Sequence, residues 1–86
     1  MEKIFEVNNK YGLHARPALK LVERIKKYKS EVTIEKEGRK ANAKSVLAIV
    51  SLGISKGSTI KVHVNGEDEE LTAKEIEDFI LNENEE

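Results

Sequence analysis

Glu31-Val-Thr-Ile-Glu-Lys-Glu-Gly-Arg-Lys-Ala-Asn42 is the stretch on which the fold turns. Val32 and Ile34 alternate with Thr33 and Glu35, the period of a strand with one buried face. Glu37-Gly38 supplies turn chemistry and Arg39–Asn42 returns as a short strand, so 31–42 reads as a β-hairpin. An isolated hairpin is marginal in water and needs cover for its apolar face. The flanking segments supply it. Upstream, Ala18, Leu21, Val22, Ile25 and Tyr28 recur at helical spacing, with Lys20, Glu23, Arg24, Lys26 and Lys27 on other faces. Downstream, Ser45 precedes Val46-Leu-Ala-Ile-Val50 and Gly53 follows, so a short helix is expected over 46–52, capped by the serine and closed by the glycine.

Further out, Lys3–Val7 reads as a strand, with Phe5 and Val7 on one face and Ile4 on the other. Asn8–Gly12 is turn chemistry. Ile60, Val62 and Val64 alternate with Lys61, His63 and Asn65 in another strand, which puts His63 on the sheet face opposite the core. Thr72-Ala-Lys-Glu75 has the form of a capping box, Leu71 is placed to staple onto Ile76, and Ala73, Ile76 and Ile80 continue a helical stripe to about Leu81. The predicted order is β-α-β-β-α-β-α. It implies an α+β open-faced sandwich, a four-stranded antiparallel sheet covered on one face by three helices, with 1–86 as a single domain.

Composition sets the outer bounds. Eighty-six residues are too few for a dinucleotide-binding domain, a kinase or a TIM barrel. There is no cysteine, hence no disulfide framework, thiolate metal site or thiol nucleophile. No apolar run reaches membrane length, and Met1-Glu-Lys-Ile-Phe-Glu6 lacks the apolar stretch of a signal peptide, so a cytoplasmic protein is expected. The net charge of −1 conceals an asymmetry. Residues 1–66 hold fourteen Lys/Arg and six Asp/Glu, a balance of +8, whereas 67–86 hold one Lys and ten Asp/Glu, a balance of −9. A basic body with an acidic tail suits a partner with an acidic docking face. Nucleic acid is the rival reading of the basic part, but two Phe and two Tyr are few for a single-strand binder that stacks bases on aromatics.

The segment with chemical promise is Gly12-Leu-His-Ala-Arg-Pro17. It sets His14 just before a helix start and Arg16 at its opening, and Pro17 costs little in a first turn where its N–H has no partner to lose. The N–H groups and positive dipole end of the helix favour an anion and disfavour a second positive charge on the imidazole. A neutral ring nitrogen is a nucleophile, and a guanidinium offers planar donors to phosphate oxygens. The expectation is covalent phosphorylation of His14, with Arg16 and the helix amides holding the phosphoryl group. A histidine at such a position also serves as a plain cap or loop residue, and spacing alone does not separate the two. His63 has no metal-ligand spacing to His14 and reads as a surface residue. Lys56-Gly57 does not complete a phosphate-binding loop.

Two motifs carry a family resemblance. Gly-Leu-His-Ala-Arg-Pro-Ala at 12–18 is similar to the phosphohistidine site of the HPr family, the phosphocarriers of the phosphoenolpyruvate-dependent sugar phosphotransferase system. Asn42–Gly57 is similar to that family's regulatory-serine segment with its apolar helix and glycine-ended loop. The resemblance runs along essentially the whole chain. It implies that His14 accepts a phosphoryl group through Nδ1 from phospho-enzyme I and passes it to a histidine of a sugar-specific enzyme IIA, and that Arg16 stabilises it. The chain is then a carrier rather than an enzyme, a monomer with no cofactor and no metal, acting directly on neither nucleic acid nor membrane. Ser45 corresponds to the serine that an HPr kinase/phosphorylase modifies in some members, whose modified form serves a catabolite-control transcription regulator. Docking falls to Pro17, Lys20, Arg24 and Lys26 on the first helix and Val46, Leu47 and Ile49 on the short one. A regulatory relative working through Ser45 alone is the alternative. Ala48 stands where many members have Gly or Lys, and Leu19 where Ala or Thr is common.

Overall fold

The hairpin forms as read, and it anchors a sheet that a computed structural model describes over residues 1–82. In chain order the elements are β1 (Glu2–Glu6), α1 (Ala15–Ile25), β2 (Glu31–Lys36), β3 (Arg39–Asn42), α2 (Val46–Ser51), β4 (Thr59–Asn65) and α3 (Glu69–Asn82). Lys36 sits opposite Arg39, leaving Glu37 and Gly38 as a two-residue turn. Their φ values of +52° and +81° are the left-handed pair that lets a tight turn follow the strand twist.

The strands form one antiparallel sheet in the order β1-β4-β2-β3. Val32, Ile34, Ala41, Ile60, Val62 and Val64 point to the helix side and are buried. Thr33, Glu35, Lys61 and His63 alternate with them on the open face, where the His63 ring nitrogen Nε2 lies 2.9 Å from Glu35 Oε1. That pairing half-buries His63 and holds the Glu35 carboxyl below its ordinary range. Ile4 falls on the open face and is exposed.

α1 packs against both α2 and α3, and Leu21, Ile25, Ile49, Ile76, Phe79 and Ile80 join the strand residues in one core cluster. Each such side chain contributes about 1.5–3 kcal/mol by leaving water. Across the α1–α3 seam, Arg24 donates to Glu75 Oε2 at 2.6 Å and to Asp78 Oδ2 at 2.8 Å, and the Tyr28 hydroxyl donates to Glu75 Oε1 at 3.2 Å.

Two local expectations are corrected. Tyr28 lies past the end of α1, after a turn in which its N–H donates to Ile25 O at 3.0 Å. The expected capping box at Thr72–Glu75 is absent because α3 begins earlier, at Glu69. Thr72 is buried within it and donates its hydroxyl to Asp68 O at 2.9 Å, Glu75 serves Arg24 instead, and Leu71 is exposed rather than stapled. The acidic first turn, Glu69 and Glu70, suits the positive end of the helix and marks the true start. The expected tail from Glu83 to Glu86 lies outside the described residues.

Candidate functional site

Between β1 and α1 the chain makes a loop that is fixed to a second loop, between α2 and β4. Val7 N–H donates to Ser58 O at 2.8 Å, Gly57 N–H to Val7 O at 2.7 Å, and Leu13 N–H to Ile54 O at 3.0 Å. The second loop closes on itself: Ser58 N–H donates to Ser55 O and Ser55 N–H to Ser58 Oγ, each at 3.0 Å. Leu13 and Ile54 are both buried, so the two loops share a hydrophobic floor. Gly12 has φ +63°, a conformation that suits glycine.

From that base the chain enters α1. His14 is the N-cap residue, with extended backbone (φ −77°, ψ −169°), and its carbonyl accepts the Ala18 N–H at 2.9 Å. Its imidazole makes no capping bond and is exposed. Arg16 is in the first turn and also exposed, and that turn contains no acidic side chain. The amides of a first helical turn point out along the axis, toward the end that His14 occupies. An exposed imidazole at the N-cap and an exposed arginine two residues on therefore stand at the positive end of an eleven-residue helix.

Ser45 is the N-cap of α2, and its Oγ accepts the Ala48 N–H at 3.2 Å. This is the capping role expected from the sequence. At the other end Lys36 Nζ donates to Gly53 O and an Arg39 nitrogen to Ser51 O, both at 2.8 Å. These cations favour the negative end of the helix.

The docking residues separate into groups. Leu47 is 82% exposed and Lys20 and Lys26 are exposed, the last paired with Glu23 at 2.8 Å. Val46 is half-buried. Ile49 is fully buried in the core cluster and Pro17 is buried in the first turn of α1, so neither side chain is exposed. Arg24 is engaged within the chain. Its guanidinium is held by Glu75 and Asp78 on the α3 side, which raises its pKa, first through the bond to Asp78, and lowers those of both carboxyls. Sequence reasoning did not place Leu19 and Val50 among the exposed apolar side chains, although both are. The signal was present: Leu19 is out of phase with the buried stripe of α1, and Val50 lies three residues from Leu47 on the same helix face.

Among the described residues no group of three or more His, Asp or Glu side chains is arranged to hold a metal ion, and no helix is long and apolar enough to cross a membrane.

Comparison with known proteins gives a consistent picture. Residues 1–82 match the family model described as the PTS HPr component phosphorylation site. The chain is 44% identical over 80 residues to an HPr-like protein Crh of Halalkalibacterium halodurans, covering 93% of this chain and 95% of that one. It is 38% identical over 82 residues to a phosphocarrier protein HPr of Xylella fastidiosa, covering 95% and 92%. Among solved structures, HPr-C-His from Thermoanaerobacter tengcongensis superimposes with a TM-score of 0.91 at 43% identity, over 94% of this chain and 91% of that one.

Proposed function

The chain belongs to the HPr family of phosphotransferase-system phosphocarriers, and from that premise we propose that it relays a phosphoryl group on His14. The observation that carries the proposal is the α1 start: an exposed N-cap imidazole with no capping bond, beside Arg16 and a first turn free of acidic side chains. The Nδ1 lone pair attacks the phosphorus of phospho-enzyme I, whose own P–N bond breaks as the new one forms. In the second step an enzyme IIA histidine attacks the phosphoryl group on His14, and that bond breaks in turn. Arg16 donates to the phosphoryl oxygens, and the first-turn amides and helix dipole offset the charge in flight. The chain turns over no small molecule by itself, so it is a carrier, not an enzyme. It works as a cytoplasmic monomer without cofactor, and its partners are proteins rather than nucleic acid or membrane.

Partners dock through the exposed Leu19 of α1 and Leu47 and Val50 of α2, two helices in contact, with the exposed Arg16, Lys20 and Lys26 supplying positive charge. A small interface with charge steering suits partners that must let go.

Similarity to an HPr-like protein Crh favours a second, regulatory role at Ser45. A phosphoryl group from ATP, placed there by an HPr kinase/phosphorylase, sits at the positive end of α2 and puts roughly two negative charges beside Leu47. That change weakens docking to an acidic enzyme I face and creates a surface for a catabolite-control transcription regulator.

Mixing the chain with enzyme I and phosphoenolpyruvate tests the carrier role. The expected product has one acid-labile phosphoryl group, lost in His14→Ala with an unchanged circular dichroism spectrum. With ATP and the kinase, an acid-stable group lost in Ser45→Ala is expected. A wild-type chain that gains no acid-labile phosphoryl group sinks the carrier reading.

A further inference from the structure

We infer that Gly12 and the loop at 54–58 form the positioning device for His14, and that it governs the rate of phosphoryl transfer rather than docking. The inference rests on the carrier reading above. Two independent features of the chain meet at this seam. The first is a hydrogen bond, Leu13 N–H to Ile54 O at 3.0 Å, one residue from His14. The second is steric. Gly12 lies so close to the 54–58 loop that a Cβ built on it would overlap the Ile54 carbonyl oxygen and lie 2.6 Å from Ser55 Cα. Its φ of +63° adds a cost for any L side chain.

The seam is stiff on both sides. Ile54 and Leu13 are buried, Val7 exchanges hydrogen bonds with Gly57 and Ser58, and Ser58 ties back to Ser55 through its hydroxyl and its N–H. The obstructing atoms belong to backbone, which cannot rotate away as a side-chain tip can. A methyl at position 12 therefore drives the two loops apart by about 1 Å to restore ordinary contact. His14 is two residues further along the displaced segment, and α1, packed into the core through Ala18, Leu21 and Ile25, does not move with it. The imidazole then changes its relation to the first-turn amides and Arg16. The face with Leu19, Leu47 and Val50 is left where it was. Displacements of this size in a reacting group cost up to about a hundredfold in rate.

The test measures the chain as a substrate of enzyme I. In Gly12→Ala the maximal transfer rate is expected to fall roughly 10- to 100-fold, with the KM for the chain within about twofold. The His14 ring resonances should shift, and those of His63, on the open sheet face, should stay as an internal reference. Ile76→Val, a core change in α3 that lowers the melting temperature, should leave the rate unaltered and so separates position from stability. If Gly12→Ala does not fold, Ser58→Ala, which removes only the acceptor for Ser55 N–H, is expected to lower the maximal rate a few-fold with the same unchanged KM. A folded Gly12→Ala with wild-type rate, a Ser58→Ala with wild-type rate, or a loss expressed in KM alone overturns the inference. Failure of the wild-type chain to take an acid-labile phosphoryl group would instead strike the carrier reading, and the two outcomes are distinct.

Discussion

The starts of α1 and α3 use the same physics for different ends. At α3 the residue before the helix is Asp68, and its carboxylate accepts from Lys29 N–H at 2.8 Å, Ser30 N–H at 2.9 Å and the Ser30 hydroxyl. Two glutamates follow in the first turn. The Ser30 hydroxyl bond, followed by the backbone bond from Lys29, holds the Asp68 carboxyl at about 2. The positive end of α3 is thus faced by the chain's own carboxylates, Asp68 before the helix and Glu69 and Glu70 in its first turn. At α1 the corresponding residue is His14, its ring makes no capping bond, and the first turn contains no acidic residue of its own. One terminus stabilises the fold. In the relay proposed above, the other takes its negative charge from the phosphoryl group.

Exchanging the outcomes of two substitutions would break this contrast. Asp68→Ala removes three bonds that join α3 to the start of β2, so it should lower the melting temperature by about 5–10 °C and leave phosphorylation by enzyme I intact. His14→Ala touches an exposed ring, so its stability should stay within about 0.5 kcal/mol of wild type with transfer abolished. Thermal melts and the acid-lability assay read both. A destabilised His14→Ala, or an Asp68→Ala that folds normally but cannot be phosphorylated, would show that the two helix starts are not divided in this way.

Acid titration sharpens the same point. Asp68 has a lower pKa folded than its ordinary 3.8, so it binds protons more weakly in the folded chain. Its contribution is fully present above pH 3.8 and is lost as pH falls from there through about 2. Glu75, Asp78 and Glu35 are lowered too and act with the same sign. Melting temperature should therefore drop between about pH 5 and pH 2, and the Asp68→Ala profile should be flatter. Parallel profiles for the two proteins would remove Asp68 as the stabilising link between the start of α3 and the segment before β2.

A smaller effect distinguishes cations that look alike in the sequence. Arg24→Ala should cost about 1 kcal/mol through the α1–α3 seam, with the KM for the chain as enzyme I substrate within twofold of wild type. Lys20→Ala should raise that KM, more so at low salt. Equal effects of both on KM would return Arg24 to the docking face.

Much of this was legible in the residues. The hairpin, the element order and the strands followed from alternation, and Ser45 as a cap followed from its place before an apolar run. His14 and Arg16 were placed at a helix start by Gly12 and Pro17. What could not be read depends on three-dimensional pairing. Nothing local says that Glu75 serves an arginine 51 residues away rather than its own helix start. In α2, Leu47 and Ile49 are equally apolar, and only the way six residues lie against α1 and β3 sends Ile49 into the core and Leu47 outward. Gly12 was readable as a turn residue, but its close approach to Ile54 joins segments 42 positions apart and no periodicity announces it.

The smallest expected change in stability tests whether that outward leucine is held there for a partner. Leu47 is 82% exposed, so trimming it to alanine removes little buried area and should shift stability by less than about 0.5 kcal/mol. A large apolar side chain kept in water has no folding benefit to explain it, whereas at the centre of a small interface it becomes an anchor. Leu47→Ala should therefore raise the KM for the chain as enzyme I substrate about tenfold, the equivalent of 1.4 kcal/mol of lost contact, with the maximal rate kept. Gly12→Ala should show the opposite split. If Leu47→Ala instead lowers the rate at constant KM, the surface around α2 takes part in aligning His14, and the division between a docking face and a positioning seam has to be redrawn.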